Sequence, residues 1–243
     1  MLLMIPRIAH FIWFNESLPD WVTGNIEAFS RLHREWTIRI WHELPDDYPQ
    51  DLRDLIECLP WYSSRSDIFR YWLLSEYGGV YLDTDIVTLR RFDSLRDYEF
   101  FLAPCMPTGH TQPHLACGLI GSERGSRSAM RILDACRKRA VDPDPPRRIT
   151  YGPDLLTSLF EIDRQGLTVL PLHYFYVIPD RETTHEFWHA NQTKRETIME
   201  QFQPQFTDHE SPYAVHLWGV DGSSQRRVPD AVTSTAAMLS ATQ

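Results

Sequence analysis

Residues 66–85 read SDIFRYWLLSEYGGVYLDTD and carry the clearest helix signal in the chain. Apolar residues at helical spacing, serines ahead of them and two glycines behind them predict a helix over Ser64 to Tyr77. The apolar run Val80-Tyr81-Leu82 follows at once and predicts a short strand. Asp83 and Asp85 stand where that strand ends, which is the edge of an α/β sheet where ligands bind.

Asp83 and Asp85 are the first candidates for chemistry. In extended chain, side chains at positions i and i+2 point to one face, so the two carboxylates are predicted to converge. Paired carboxylates suit a hard divalent cation such as Mg²⁺ or Mn²⁺, which bridges a substrate diphosphate and stabilises its charge. An Asp-x-Asp triplet is also common in surface turns, so the surrounding pattern decides its meaning.

Predicted strands and helices alternate along the rest of the chain, which favours an α/β fold with a mainly parallel sheet. The further predicted strands are 8–14, 36–41, 86–89, 100–103, 115–120, 167–170 and 213–217, and the further helices are 20–34, 51–58, 127–140, 154–160 and 182–202. We expect a single domain over residues 1–224. The small, polar residues 225–243 predict a mobile tail.

Composition narrows the class of protein. The chain has 243 residues, 42% of them hydrophobic, which fits one compact globular domain. A formal net charge of −9 disfavours nucleic acid as a partner. The cysteines show no paired spacing, which favours free thiols and a cytoplasmic location. No apolar run approaches the roughly 18 residues of a membrane span, so we expect no transmembrane segment, with peripheral membrane contact left open.

Residues 66–85 resemble the signature of the DXD-containing "sugar-binding region" glycosyltransferases. This family includes fungal-type mannosyltransferases, bacterial polysaccharide transferases and, more distantly, the clostridial glucosylating toxins. Shorter segments resemble other family motifs: the opening strand at 5–13, the Gly152-Pro153 element, the late strand at Tyr174-Phe175-Tyr176 and the closing motif at 215–218. Together they span most of residues 5–220.

The resemblance implies a GT-A fold, in which a Rossmann-like, mainly parallel sheet is flanked by helices. It also implies a metal-dependent enzyme that uses Mn²⁺ or Mg²⁺. The donor would be a UDP- or GDP-linked hexose or related sugar, transferred with retention of configuration. The acceptor would be a hydroxyl of a cell-surface glycan or its precursor, and nucleic acid is not favoured as an acceptor.

The resemblance assigns four residues to the donor pocket. Trp13 would stack on the nucleotide base, for which a flat aromatic ring is suited. Asp67 and Arg70, one helical turn apart, would hold the donor sugar and the diphosphate, since a guanidinium matches phosphate geometry. Tyr81 would line the pocket. These residues also have structural interpretations. Trp13 could be a core tryptophan, Asp67 could cap its helix and pair with Arg70, and Tyr81 could be a core tyrosine.

The metal centre is assigned in the same way. Asp83 would meet ribose or sugar hydroxyls and assist the metal, Asp85 would ligate it directly, and His216 would be a late ligand. Arg70 would join the two aspartates as a catalytic group by stabilising the leaving diphosphate. His216 lies between apolar neighbours, so a hydrogen-bonded core histidine is the alternative interpretation.

Two departures from the family pattern bear on specificity. Cys117 stands where the family often has an asparagine that touches the donor sugar, so the sugar is not fixed by the resemblance. Trp218 is not followed by a second tryptophan, and Asp221 and Ser223 are candidates to replace the ligand missing there. The loop over residues 106–114 is a candidate lid on the acceptor side.

Two other functions compete with sugar transfer. The segment His185-Glu186-Phe187-Trp188-His189 matches the HExxH pattern of zinc hydrolases, in which both histidines bind zinc and the glutamate activates water. A non-catalytic module that binds a nucleotide sugar is the other alternative. The intact set of Asp67, Arg70, Asp83 and Asp85 disfavours it.

Overall fold

The structure is a computed structural model that describes residues 4–14, 17–106, 112–140, 150–176 and 212–218. Several predicted features lie outside the described residues: the His185/His189 motif, the helix over 182–202, Asp221 and Ser223, the tail over 225–243, and residues 107–111 of the candidate lid. The domain boundary at residue 224 therefore stays a prediction.

In the described ranges the helices and strands follow one another in the order predicted from the sequence. Within the described ranges the helices are α1 (Asp20–Leu32), α2 (Gln50–Cys58), α3 (Tyr62–Tyr77), α4 (Arg127–Arg139) and α5 (Pro153–Ile162). The strands in the same ranges are β1 (Ile8–Ile12), β2 (Thr37–Trp41), β3 (Gly79–Leu82), β4 (Ile86–Thr88), β5 (Phe100–Leu102), β6 (Pro104–Cys105), β7 (His114–Leu115), β8 (Leu119–Ser122), β9 (Thr168–Val169) and β10 (Ala214–His216). No helix in these ranges has the length and apolar character needed to cross a membrane.

A mixed, mainly parallel sheet forms the centre of the fold. In the described part of the chain it has six strands in the order β2-β1-β3-β8-β5-β9. Strand β1 is parallel to both β2 and β3, β5 is parallel to β9, and β8 runs antiparallel to its neighbours β3 and β5. Strands β4 and β10 pair antiparallel beside this sheet. The prediction of an α/β fold with a mainly parallel sheet is confirmed.

Hydrophobic cores cover both faces of the sheet. The side chains of β3 alternate between them, because successive residues of a strand point to opposite faces. Tyr81 packs in the core formed with α2 to α5, whereas Val80 and Leu82 pack in the core formed with α1. Tyr81 therefore faces α3, the helix that carries Asp67 and Arg70.

Helix α3 is buried along most of its length, including every residue from 67 to 74. It begins at Tyr62, and Trp61 precedes it without a capping side-chain hydrogen bond, so the expectation that serines cap this helix is wrong. The helix ends at Gly78, where φ is 65°, as the sequence predicts. A helix buried on all sides positions its polar residues rigidly.

A histidine fixes the turn between α3 and β3. His10 is fully buried; its Nε2–H donates to the Gly78 carbonyl at 2.8 Å, and the Trp41 indole N–H donates to its Nδ1 at 3.2 Å. Burial lowers the pKa of His10 to about 4, so the ring is neutral. At Gly79, with φ of 99°, a Cβ would lie 2.4 Å from the Ile8 carbonyl oxygen. The turn is thereby packed closely against β1.

Two predicted strands are wrong in detail. Tyr174-Phe175-Tyr176 is not a strand: a 3-10 helix spans Leu172–Tyr174 after Pro171. The chain does not continue as a strand there. The carbonyls of Tyr174 and Phe175 instead accept hydrogen bonds from the amides of Tyr213 and His216. The predicted strand over 115–120 divides into β7 and β8, because the first part pairs with β6 and the second with β3 and β5.

Candidate functional site

Asp83 and Asp85 lie on a tight turn that follows β3. The Ile86 amide donates to the Asp83 carbonyl at 3.0 Å, so the expectation of extended chain through the pair is wrong. The Asp83 amide donates to the Gly118 carbonyl at 2.7 Å, and the Leu217 amide donates to the Asp85 carbonyl at 3.0 Å. The carboxylates converge because β8 and the end of β10 hold this turn.

The turn brings both carboxylates to His216. Nε2 of His216 lies 3.3 Å from Asp85 Oδ1 and 3.6 Å from Asp83 Oδ2. One donor atom from each of the three residues lies within 4.8 Å of the others. The side chains of Asp85 and His216 are 10% and 11% exposed, whereas that of Asp83 is 29% exposed. The three predicted metal ligands therefore form one cluster, with Asp83 as its most accessible member.

Charge inside the cluster is strongly coupled. Burial by itself would lower the pKa of His216, but Asp85 and Asp83 raise it to about 10. Burial by itself would raise the pKa of Asp83, but Arg70 and His216 lower it below its ordinary value. Without a metal the imidazole is thus an imidazolium between two carboxylates. Nδ1 of His216 is buried and has no hydrogen-bond partner among the described residues.

The two oxygens of Asp83 have different partners. Oδ1 accepts a hydrogen bond from the Tyr81 hydroxyl at 2.7 Å and lies 3.2 Å from Nη1 of Arg70. Oδ2 faces His216. Because Oδ1 is held by the protein, the carboxylate presents Oδ2 to the cluster. Tyr81, predicted to line the donor pocket, contacts the candidate metal ligand Asp83 directly.

Arg70 is buried and bonded to protein groups. Its Nη1–H donates to the Cys117 carbonyl at 2.5 Å, and Nη2 lies 2.9 Å from Asp67 Oδ1. The guanidinium also lies over the Tyr81 ring, 4.3 Å from its centroid. Burial would lower the pKa of Arg70, but Asp83 and its other neighbours raise it, so the residue is charged. In this arrangement Arg70 holds the carboxylates of Asp67 and Asp83. Its direct contact with a diphosphate stays a prediction.

Asp67, Cys117 and Gly152 meet beside Arg70. The Cys117 thiol donates to Asp67 Oδ1 at 3.5 Å, and burial raises its pKa well above the ordinary value, so it is a neutral thiol. A Cβ at Gly152 would lie 2.8 Å from Asp67 Oδ2. The Gly152-Pro153 element singled out in the sequence therefore lets α5 approach the predicted donor-binding aspartate. The structure brings Asp67, Arg70, Tyr81 and Asp83 into one contact network.

Trp13 lies at the same edge of the sheet. It follows β1 as Asp83 follows β3, and these strands are parallel neighbours. The Trp13 indole N–H donates to the Ser17 carbonyl at 3.0 Å, and its ring packs edge-to-face on Trp21 with centroids 6.2 Å apart. The predicted stacking of Trp13 on a nucleotide base stays a prediction.

Sequence reasoning missed two residues that shape the cluster. A Cβ at Gly118 would lie 2.8 Å from Asp83 Oδ2 and 3.3 Å from His216 Nε2, so this position requires a glycine. Asn25, on α1, donates from Nδ2 to the Thr84 carbonyl at 2.9 Å. An asparagine slightly disfavours a helix, so its presence inside α1 is a weak indication of a tertiary role.

The donor set fits a divalent cation. Carboxylate oxygens are the ligands that Mg²⁺ and Mn²⁺ prefer, and an added imidazole favours Mn²⁺ over Mg²⁺. Three carboxylates, those of Asp67, Asp83 and Asp85, lie in this network beside Arg70 and His216. With His216 neutral as a ligand, Arg70 and a divalent cation would balance their charge. The residues present therefore fit the predicted metal.

A comparison with a solved structure identifies the fold. The solved structure of PaToxG glycosyltransferase matches 87% of this chain and 90% of its own length with a TM-score of 0.55 at 13% sequence identity. At that identity the likeness shows the fold, which is the GT-A fold of glycosyltransferases. The fold class predicted from the sequence is confirmed.

The family follows from the sequence match. The model for the glycosyltransferase sugar-binding region containing the DXD motif matches residues 8–102. Over those residues the chain is similar to this family, and the likeness predicted from residues 66–85 is confirmed. The region spans β1 to β5 and contains Trp13, Asp67, Arg70, Tyr81, Asp83 and Asp85.

Curated relatives extend the match beyond this region. Inositol phosphoceramide mannosyltransferase 3 of Schizosaccharomyces pombe is 24% identical over 193 residues, which cover 76% of this chain and 49% of the relative. Mannosyl phosphorylinositol ceramide synthase CSH1 of Saccharomyces cerevisiae is 33% identical over 113 residues, which cover 44% of this chain and 30% of the relative. The chain thus spans about half or less of the length of these relatives.

Proposed function

We propose that this chain is a metal-dependent glycosyltransferase that moves a hexose from a UDP- or GDP-linked donor to an acceptor hydroxyl. The observation that carries the proposal is the convergence of Asp83, Asp85 and His216 within 4.8 Å at the carboxyl end of β3. This cluster lies in a GT-A fold and uses both aspartates of the matched sugar-binding region.

Asp83, Asp85 and His216 would hold the cation. When bound, Mn²⁺ or Mg²⁺ supplies Lewis-acid stabilisation for the negative charge of the leaving diphosphate. His216 would act as a ligand through its neutral imidazole, because an imidazolium nitrogen has no lone pair to offer.

The neighbouring residues would prepare the site before the donor binds. Arg70 and Tyr81 hold Asp83 Oδ1, so that the carboxylate does not rotate away from the cluster. Asp67, fixed by Arg70, would accept hydrogen bonds from donor sugar hydroxyls. Preorganised groups of this kind stabilise a transition state without reorganising during the reaction.

The names of the relatives indicate which donor and acceptor to test first. Both curated relatives are named for transfer of mannose to an inositol-containing ceramide. We therefore propose a mannosyl donor as the first choice, and a hydroxyl of a glycolipid headgroup or glycan as the acceptor. Cys117 contacts Asp67, the predicted donor-binding aspartate, so other hexoses belong in the donor panel.

Retention of configuration is proposed from the family resemblance. It is tested by NMR of the product anomer immediately after transfer, and an inverted product contradicts it. The cytoplasmic location expected from the sequence stays a prediction.

The first experiment is a calorimetric titration with UDP, GDP, CDP and ADP, each with and without Mn²⁺. Wild type is compared with Asp85→Ala and with Asp134→Ala, whose side chain on α4 is 60% exposed. We expect Mn²⁺-dependent binding of one diphosphate, lost in Asp85→Ala and kept in Asp134→Ala. Absence of Mn²⁺-dependent binding to any diphosphate in wild type contradicts the proposal.

Turnover separates an enzyme from a binding module. Sugar conjugates of the selected nucleotide are incubated with inositol phosphoceramide or an oligosaccharide acceptor, and release of the diphosphate and the glycosylated product are measured together. Tight binding of the donor without product in any acceptor arm would favour the non-catalytic alternative.

A further inference from the structure

Hydrogen bonds from several elements hold the turn of Asp83 and Asp85. Strand β8 holds the Asp83 amide through Gly118, and Leu217, after β10, holds the Asp85 carbonyl. The carbonyl between them, that of Thr84, accepts a hydrogen bond from Asn25 of α1. The backbone of the turn is therefore bonded at each of its residues from 83 to 85.

The Asn25 bond differs from the others in kind. Gly118 and Leu217 use backbone groups, which any sequence supplies, whereas Asn25 uses a side-chain amide from an element 59 residues away. A rotation of the peptide between Thr84 and Asp85 would swing the Asp85 side chain, since φ and ψ are the soft torsions of the chain. The Asn25 bond opposes that rotation, because it fixes the direction of the Thr84 carbonyl.

The helix that carries Asn25 also touches the predicted base-binding residue. Trp21 lies one helical turn before Asn25, on the same side of α1, and packs edge-to-face on Trp13. One helix thus contacts the candidate base site and the candidate metal site. This placement favours a role in ordering the donor site over a bond that merely joins α1 to the sheet.

We propose that Asn25 is a positioning residue that sets the geometry of the Asp83–Asp85 turn for cation binding. The role deepens the proposed function and rests on it. Asn25 acts through the Thr84 carbonyl and not by touching the donor or the metal. Loss of its amide leaves the fold and the three donor residues in place but lets the turn sample orientations that bind the cation weakly.

The test compares Asn25→Leu with Thr23→Val. Leucine has nearly the shape of asparagine and a better helix propensity, so α1 is not weakened by the change itself. Thr23→Val is the matched control, because it also replaces a polar side chain by an apolar isostere on the same helix, at an exposed position. Asn25→Ala is the second variant, for the case in which leucine does not pack.

Binding of Mn²⁺ alone is measured by electron paramagnetic resonance of the free ion, without any nucleotide. We expect both Asn25 variants to raise the Kd for Mn²⁺ about tenfold, the lower range for losing an outer-sphere hydrogen bond at a metal site. Thr23→Val should match wild type. Melting temperatures of the metal-free proteins should agree between Asn25→Leu and Thr23→Val.

Amide hydrogen exchange of the metal-free proteins supplies the readout that does not depend on a metal. The Ile86 and Leu217 amides, which bond to the turn, should exchange faster in Asn25→Leu than in Thr23→Val. If wild type binds Mn²⁺ and the Asn25 variants bind it equally well, the role of Asn25 is overturned but the proposed function stands. Wild type that binds no Mn²⁺ contradicts the proposed function, and this role falls with it.

Discussion

His10 and His216 are both buried histidines next to strand β3, yet their pKa values move in opposite directions. His10 contacts the turn before the strand, and its pKa falls to about 4. His216 contacts the turn after the strand, and its pKa rises to about 10. Both imidazoles lose water, so burial does not explain the difference.

The partners explain it. His10 donates to the neutral carbonyl of Gly78 and accepts from the indole of Trp41. The carbonyl favours the protonated ring by less than burial disfavours it, and the charge of Arg39 disfavours it further. His216 faces Asp83 and Asp85, and their charges outweigh the cost of burying an imidazolium. The first end of β3 carries a neutral structural histidine, whereas the second carries a charged cluster that is the proposed cation site. A buried histidine indicates function when carboxylates surround it.

The largest expected effect comes from removing charge at the second end of β3. Asp85→Ala should lower kcat/KM for sugar transfer by roughly 10³-fold, because a preorganised charge at the leaving group is lost. The measurement is the initial rate at saturating Mn²⁺. Asp134→Ala serves as the control and should keep wild-type rates. Activity that survives in Asp85→Ala would remove the distinction between the two ends.

The alkaline pH dependence should belong to His216. Its pKa is raised in the folded state, so its stabilising contribution is complete below 6.5 and is lost as pH rises through about 10. In metal-free protein the free energy of unfolding should fall by about 3 kcal/mol from pH 6.5 to 9 through this residue. Urea unfolding in EDTA measures it. His216→Gln should show a flatter alkaline limb, and an unchanged slope contradicts the charge state assigned here.

The acid pH dependence should belong in part to His10. Its pKa is lowered in the folded state, so stability is lost as pH falls from 6.5 toward about 4, where the unfolded chain binds the proton more strongly. This contribution amounts to about 2 kcal/mol between pH 6.5 and 4.5. His10→Gln, unfolded in urea across that range, should lose less stability than wild type. An acid limb in His10→Gln that matches that of wild type contradicts this assignment.

The smallest expected effect concerns the hydroxyl of Tyr81, which holds Asp83 in the turn after β3. Tyr81→Phe removes the hydroxyl that donates to Asp83 Oδ1 and should raise the Mn²⁺ concentration for half-maximal activity about fivefold, which corresponds to about 1 kcal/mol. Tyr71→Phe is the matched control, since that buried hydroxyl donates to the Tyr151 carbonyl away from the cluster. Equal Mn²⁺ dependence in both variants would show that Tyr81 does not orient Asp83.

Local patterns predicted most of the fold. The glycines after Tyr77, the apolar periodicity of α3 and the alternation of strands and helices gave the correct elements, because these signals act over a few neighbouring residues. The errors fell where distant partners decide. Residues 174–176 do not form the predicted strand: a 3-10 helix ends at Tyr174, and the carbonyls of Tyr174 and Phe175 bond to the amides of Tyr213 and His216.

The candidate site was also predicted in outline. Its aspartates were found from the residue types and their spacing, and His216 from the resemblance. The reason given for the convergence of Asp83 and Asp85 was wrong, since a turn and not extended chain joins them. Asn25 and Gly118 escaped notice, because their roles depend on contacts with residues far away in the chain.

Residue types and their spacing thus predicted the likeness to the sugar-binding-region family, the order of the elements and the carboxylates at the end of β3. These properties depend on residue type and short-range spacing. Only the tertiary structure decided which end of β3 carries charge: His10 met a carbonyl and an indole, and His216 met two carboxylates. The two positions carry the same residue type, so the sequence does not distinguish their charge. Its charge depends on the groups that folding brings within a few ångströms, because electrostatic energies inside a protein depend on distance and solvent exclusion.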